Sequence, residues 1–112
     1  NNRYPASMAE VDERIKRIQQ HKGVKGILVV DDQNRIVKTT IEDEAEASLY
    51  GSKLKEVANQ ARDLVRSLDS TNDLTFLRIT CRKYEMMVAP DKGDESSSMY
   101  YLIVIQCPNE DD

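Results

Sequence analysis

The chain has 112 residues, with 20 Asp and Glu against 16 Lys and Arg, and a formal net charge of −4. That length favours one domain around one modest core, and a mildly acidic chain with no run of cations is a poor match to nucleic acid, whose phosphates need clustered Lys and Arg. The longest apolar runs, Gly26 to Val30 and Tyr100 to Ile105, fall far short of the roughly 20 residues of a membrane span.

No basic start leads into an apolar segment of the signal-peptide kind. Residues Asn1 to Ser7 read as an expression-tag remnant, with Met8-Ala9 as the natural start, so the domain is expected over residues 8–110. Cys81 and Cys107 fall in or beside apparent strands. They are read as free, buried thiols, a disulfide between them being the alternative. The expected class is a reduced, intracellular, water-soluble domain.

From Ala9 to Gln20, Val11, Ile15 and Ile18 recur four and three apart, one narrow stripe on an amphipathic helix. Gly23 follows, where a left-handed residue stops a helix. Ile27 to Val30 is a continuous aliphatic run, the mark of a strand covered on both faces. Asp31 to Arg35 reads as a turn, and Ile36 to Thr40 as the returning strand of a hairpin. Acidic residues from Glu42 to Glu46 suit the positive end of the next helix. Within it Ala47, Tyr50, Leu54, Val57, Ala58, Ala61, Leu64, Val65 and Leu68 recur at threes and fours. Gly51 is its weak point, costing about 1 kcal/mol against Ala, and "DSTND" ends it.

Three strands complete the chain: Leu74 to Arg82, Glu85 to Ala89, and Tyr100 to Gln106. "PDKGDESSSM" between the last two reads as a mobile surface loop, and "CPNEDD" as a fraying tail. The order α-β-β-α-β-β-β predicts an α+β domain with a five-stranded, mostly antiparallel sheet between helices.

Candidate chemistry is sparse. His21, the only histidine, is placed to satisfy the last carbonyls of the first helix. A catalytic Cys–His pair with Cys81 or Cys107 needs the fold to bring them together. Two distant cysteines do not suit zinc. "GVKG" at Gly23 to Gly26 lacks the phosphate-loop pattern and leads into a strand, not a helix. Glu42, Asp43, Glu44 and Glu46 form a solvated run, and Asp94 and Glu95 are too few for calcium. Ser96, Ser97 and Ser98 are possible phosphate acceptors in what reads as an ordinary loop. The expectation is a non-enzymatic protein with no metal and no cofactor.

What stands out is surplus apolar surface. In "LTFLRIT", Leu74 to Thr80, Leu77 and Ile79 point one way while Leu74 and Phe76 point the other. On the second helix Leu49, Leu64 and Leu68 widen the arc around Tyr50, Leu54, Val57 and Ala61. Such surface seeks a partner, and two unprotected strand edges joined across a two-fold axis extend the sheet and cover both helices. The expected dimer surface comprises Leu54, Val57, Ala61 and Leu64 with Leu74, Phe76, Leu77 and Ile79. The alternative is that Leu74 and Phe76 are covered within one protomer.

"MAEVDERIKRIQQHKGVKGILVVDD", "STNDLTFLRITCRKYEMMVAPDK" and "YYLIVIQCPNE" resemble the roadblock-type light chains of cytoplasmic dynein, over Met8 to about Glu110. The resemblance implies a homodimer with a continuous ten-stranded sheet and paired second helices. It also implies a non-enzymatic scaffold that binds a short segment of the dynein intermediate chain and helps assemble the cargo-binding part of this microtubule motor. Its expected setting is cytoplasmic and cytoskeleton-associated. A two-fold dimer would hold two partner segments at raised effective concentration. Val11, Ile15 and Ile18, with the neighbouring sheet face, are the candidate partner groove, the alternative being that this stripe is spent on its own sheet. A heterodimer with a second roadblock-like chain is the other assembly in view. The rival function is regulation or anchoring of a small GTPase.

Overall fold

The run Ile27 to Val30 has no polar face because it lies in the middle of a sheet with a helix on each side. The computed structural model describes residues 6–20, 23–92 and 98–107, with backbone alone for residues 6–11. The elements are α1 (Ala6–Gln19), β1 (Val24–Asp31), β2 (Ile36–Thr39), α2 (Glu44–Leu68), β3 (Leu77–Thr80), β4 (Glu85–Lys92) and β5 (Met99–Gln106). The strands form one sheet in the order β2-β1-β5-β4-β3, and every neighbouring pair is antiparallel. This is the expected α+β order.

Alternation along β1 and β5 divides the core in two. Leu28 and Val30, with Tyr101, Ile103 and Ile105, pack beneath Ala47, Leu54 and Ala58 of α2. Ile27 and Val29, with Leu102, pack beneath Ile15 of α1. Ion pairs brace α1 at both sides of the sheet, Asp12 to Lys38 of β2 at 3.0 Å and Arg14 to Asp91 of β4 at 3.7 Å.

The second helix starts where its sequence says it should. The Asp43 carboxylate accepts from the N–H groups of Ala45 and Glu46, and Glu44 and Glu46 lie in the first turn, all stabilising a positive helix end. The β1–β2 turn is built on Asp31. Its carboxylate accepts from the N–H groups of Gln33 and Arg35 and from the Arg35 guanidinium, at 2.8–2.9 Å. Burial pushes that carboxyl up, but the Arg35 and Gln33 donors outweigh it and hold the group below the usual carboxylate range. Asn34 takes the left-handed conformation the turn requires. Lys55 of α2 donates to the Asp32 carbonyl at 2.8 Å and ties the hairpin to the helix. Gly23 is left-handed too, directly before β1, so "GVKG" is a tight strand entry.

Several boundaries differ from expectation, among them β1, which runs from Val24 to Asp31 around the expected Ile27 to Val30, and β2, which ends at Thr39. The first helix begins at Ala6, inside the segment read as a tag remnant. β5 begins one residue early, at Met99. β4 runs on through Pro90, Asp91 and Lys92, because these residues keep pairing with Tyr101, Tyr100 and Met99; "PDK" is ladder, not loop. β3 is four residues long, not nine. Leu74, Thr75 and Phe76 precede it without joining the ladder, and Cys81 and Arg82 belong to the turn beyond it. The expectations for His21, for residues 93–97 and for the tail beyond Cys107 lie outside the described residues.

Candidate protein-interaction site

The sheet-facing stripe of α2 is made of Ala47, Gly51, Leu54 and Ala58, all buried and spaced four, three and four apart. Small residues in three of these places let the helix sit close to the sheet. Its remaining large apolar residues are therefore left outside. Leu49, Val57, Leu64 and Leu68 are exposed along the helix, Leu64 by 59% and Leu68 by 79%, and Phe76 is 52% exposed beyond its end. Surface of this kind on a small chain marks an interaction site.

Beside the ridge lies a groove of about 380 Å³ between α2 and the β3–β4 hairpin. Leu49, Leu54 and Val57 form the helix side, while Ile79, Tyr84 and Met86 form the sheet side. Only Lys53 and two phenol groups are polar there. Burial, then the neighbouring Tyr84, raises the Tyr50 hydroxyl above its ordinary value, so Tyr50 stays neutral and presents an uncharged wall.

The far end of the ridge is fastened by charge. Asp73 accepts from the Arg62 guanidinium at 2.8 and 3.2 Å and from the Leu74 N–H at 2.8 Å, with Arg66 at 3.6 Å. The Arg62 hydrogen bond first, and the Leu74 N–H second, hold the Asp73 carboxyl down at about 2. A group depressed in this way contributes above the ordinary carboxylate range and loses its contribution as the pH falls towards about 2. In Arg62→Gln, a carboxyl-carbon NMR titration is expected to show the Asp73 midpoint moving up towards the ordinary range. An unmoved midpoint would mean that Leu74 and Arg66 hold the charge unaided.

The expected dimer residues divide. Val57, Leu64 and Phe76 are exposed, and Ala61 and Leu74 are half-buried. Leu77 and Ile79 are half-buried against the α2-side core. Leu54 is 4% exposed, largely buried in the protomer between Gly51 and Ala58, and only its edge lines the groove. Tyr84 and Met86 join the site without having been expected. The β3–β4 register sets Met86 opposite Ile79, which alternation within "EMMVAP" alone does not reveal.

Of the expected partner groove, Ile15 is buried and Ile18 packs against the same cluster, so both spend their apolar surface on the protomer's own sheet. The Val11 side chain lies outside the described residues. A shallow groove of about 360 Å³ does run between α1 and β2, with Ile15 and Ile27 at its floor and Asp12, Lys16, Gln19 and Lys38 on its walls. It is largely polar.

Among the described residues the two cysteines do not come together, and His21, the other catalytic candidate, lies outside those residues. The cysteines are free, but Cys81 is exposed and Cys107 half-buried, which corrects the expectation that both are buried. Cys81 bonds to Tyr84, and the Glu85–Gln106 pair sets Tyr84 between the two cysteines. Two strand spacings separate their backbones by about 10 Å, beyond disulfide reach. Among the described residues no group of three or more His, Cys, Asp or Glu could hold a metal, and no helix is long and apolar enough to cross a membrane.

The fold and this surface can be set beside known proteins. A solved structure described as the Roadblock/LC7 domain from Streptomyces avermitilis superposes with a TM-score of 0.68 at 10% identity, covering 83% of this chain and 73% of that one. At that identity the likeness is one of fold. Independently, residues 10–105 match the Roadblock/LC7 domain as a sequence family, a span that takes in α1 from Glu10, all of α2 and all but the last residue of the sheet. The sequence match and the shared fold together make the chain a member of the Roadblock/LC7 domain family, whose domains generally act through protein–protein contacts and dimers.

Proposed function

We propose that the protein is a non-catalytic light chain of cytoplasmic dynein, acting as a homodimeric scaffold that holds two segments of the intermediate chain in the cargo-binding part of the motor. The observation that carries the dimer is the exposed ridge from Leu49 to Leu68 continuing into Phe76, beside an apolar groove and a sheet whose outer strand is β3. The dynein assignment is supported by the three sequence stretches that resemble roadblock-type light chains. In this proposal the protein works in the cytoplasm, with the cytoskeleton.

In this reading the ridge and β3 edge are consumed by the dimer, and the intermediate-chain segment lies along the α1–β2 groove. That groove suits an amphipathic segment, with a small apolar floor at Ile15 and Ile27 and flanking charges at Lys16, Lys38 and Asp12. Holding two segments at once gives the pair a higher effective affinity than either alone.

Light scattering after size exclusion tests the proposal. The protein is expected to run at twice its chain mass, and to gain two fragment masses when mixed with an intermediate-chain fragment. A dimer that ignores the fragment but binds a folded small GTPase in a nucleotide-dependent way would replace the motor reading with the regulatory one. Recovery only in complex with a second roadblock-like chain would replace the homodimer with a heterodimer.

A further inference from the structure

A further cavity, of about 470 Å³, opens by the N-terminal end of α2, where β1 begins and β2 ends. Gly26, Ile41 and Ile105 are its apolar lining. Gly26 is what admits Ile41, since a Cβ there would lie 2.8 Å from Ile41 Cγ1. The connection that carries Ile41 and Glu42 is pinned: the Thr39 and Thr40 hydroxyls accept from the N–H groups of Ile41 and Ile27 at 2.9 and 3.0 Å. Tyr50 and Tyr84 supply an aromatic wall, and are all that this cavity shares with the groove beside the β3–β4 hairpin.

The charges around it do not balance. Glu42, Asp43 and Glu46 stand against Lys25, which a register slip between Val24 and Gly26 leaves as the extra residue of β1. Asp43 caps α2 and Glu44 lies in its first turn, so the positive end of the helix is already met. The Glu42 and Glu46 carboxylates are in surplus. Among the described residues they accept no hydrogen bond and form no ion pair. The Glu46 charge reaches the phenols: after burial and Tyr84, it too holds the Tyr50 hydroxyl above its ordinary value.

An apolar lining, two phenol rings and two unmatched carboxylates narrow the occupant. Anions are repelled, and a hard metal ion needs more oxygen ligands than two carboxylates supply. A lysine ammonium holds its water tightly. A guanidinium is planar and weakly hydrated, stacks on aromatic faces and pairs with a carboxylate through two N–H groups. We propose that this cavity receives an arginine side chain from an extended segment of a partner protein. Its stem lies along Ile41 and Ile105, and its guanidinium packs on Tyr50 and Tyr84 and pairs with Glu42 and Glu46. The surface is distinct from the exposed ridge and from the α1–β2 groove, with which it shares Thr40 alone. It stands or falls independently of the motor reading.

The probe is the blocked tripeptide acetyl-Gly-Arg-Gly-amide, titrated into the full chain and followed by NMR at the Ile41 methyl and Tyr84 ring signals. Both are expected to shift saturably. The same tripeptide with citrulline, which keeps the shape and loses the charge, is expected to bind about tenfold more weakly or worse, and the lysine tripeptide also more weakly. Glu42→Gln combined with Glu46→Gln, both at exposed positions, is expected to weaken the arginine tripeptide to a similar degree with unchanged far-ultraviolet circular dichroism. Equal binding of the citrulline tripeptide would overturn the charge argument, and equal binding of the lysine tripeptide the choice of arginine. Shifts confined to residues outside the cavity, or no shifts, would overturn the site itself, whatever the variant does.

Discussion

Phe76→Asp is expected to convert the protein into a folded monomer, seen as a halved solution mass with unchanged far-ultraviolet circular dichroism and a thermal midpoint that no longer rises with protein concentration. The reason lies in where Phe76 sits. It is half-exposed in the protomer and outside both core clusters, so replacing it leaves protomer stability within about 0.5 kcal/mol. In the proposed dimer it lies at the β3 edge and is covered on both copies. Each substitution there forfeits about 1.5–3 kcal/mol of apolar burial and places a carboxylate where water is excluded, at a further cost of about 1–3 kcal/mol. Two copies suffer at once, so the dissociation constant is expected to rise at least a thousandfold. Leu77→Asp is expected to break the dimer too, but Leu77 also packs on the α2-side core, so that variant loses protomer stability as well. The contrast separates surface from core: a dimer that survives Phe76→Asp would place the contact elsewhere than the β3 edge.

Much of this architecture was legible in the chain. "ILVV" and "YLIVI" are continuous apolar runs because β1 and β5 occupy the middle of a sheet with helices on both sides, and that pattern identified them before any contact was known. The long period of α2 was equally plain. What stayed hidden depended on neighbours distant in sequence. Nothing within "LTFLRIT" says that its first three residues leave the ladder; continuing the β3–β4 register sets Thr75 against Pro90, which has no N–H to give. Conversely "PDK" carries the composition of a turn yet pairs with β5, because the proline nitrogen that has no N–H to donate faces away from β5. The site was half legible. Phe76 and Leu64 stood out as surplus, but Leu54 shares their hydrophobicity and differs only in facing the sheet. The signal that would have set it apart is the row of small residues, Ala47, Gly51 and Ala58, which marks the side of α2 that approaches β1. The groove's sheet wall, Tyr84 and Met86, needed the β3–β4 register.

That row of small residues makes Gly51 the position where the smallest change should do most harm to the fold. A Cβ added there would lie 2.8 Å from Val30 Cγ1 and 3.3 Å from Leu28 Cδ2. Neither neighbour can easily give way. Both are fully buried, Val30 is stiff about χ1, and β1 is held by ladders on both sides. Gly51→Ala gains about 1 kcal/mol of helix propensity and loses about 1–3 kcal/mol to overpacking, so a modest net loss is expected in urea. Gly51→Val adds two methyl groups beyond that Cβ to the same gap and is expected to cost about 3 kcal/mol or more, a large fraction of the stability of a domain this size. Val30→Ala removes the nearer obstacle. Combined with Gly51→Ala it should therefore cost less than the two single changes summed, a coupling that a double-mutant cycle reads directly. Full additivity would mean that the helix lifts from the sheet without resistance. Strong coupling would show that Gly51 sets the height of α2 above β1, and with it the width of the groove between Val57 and Ile79.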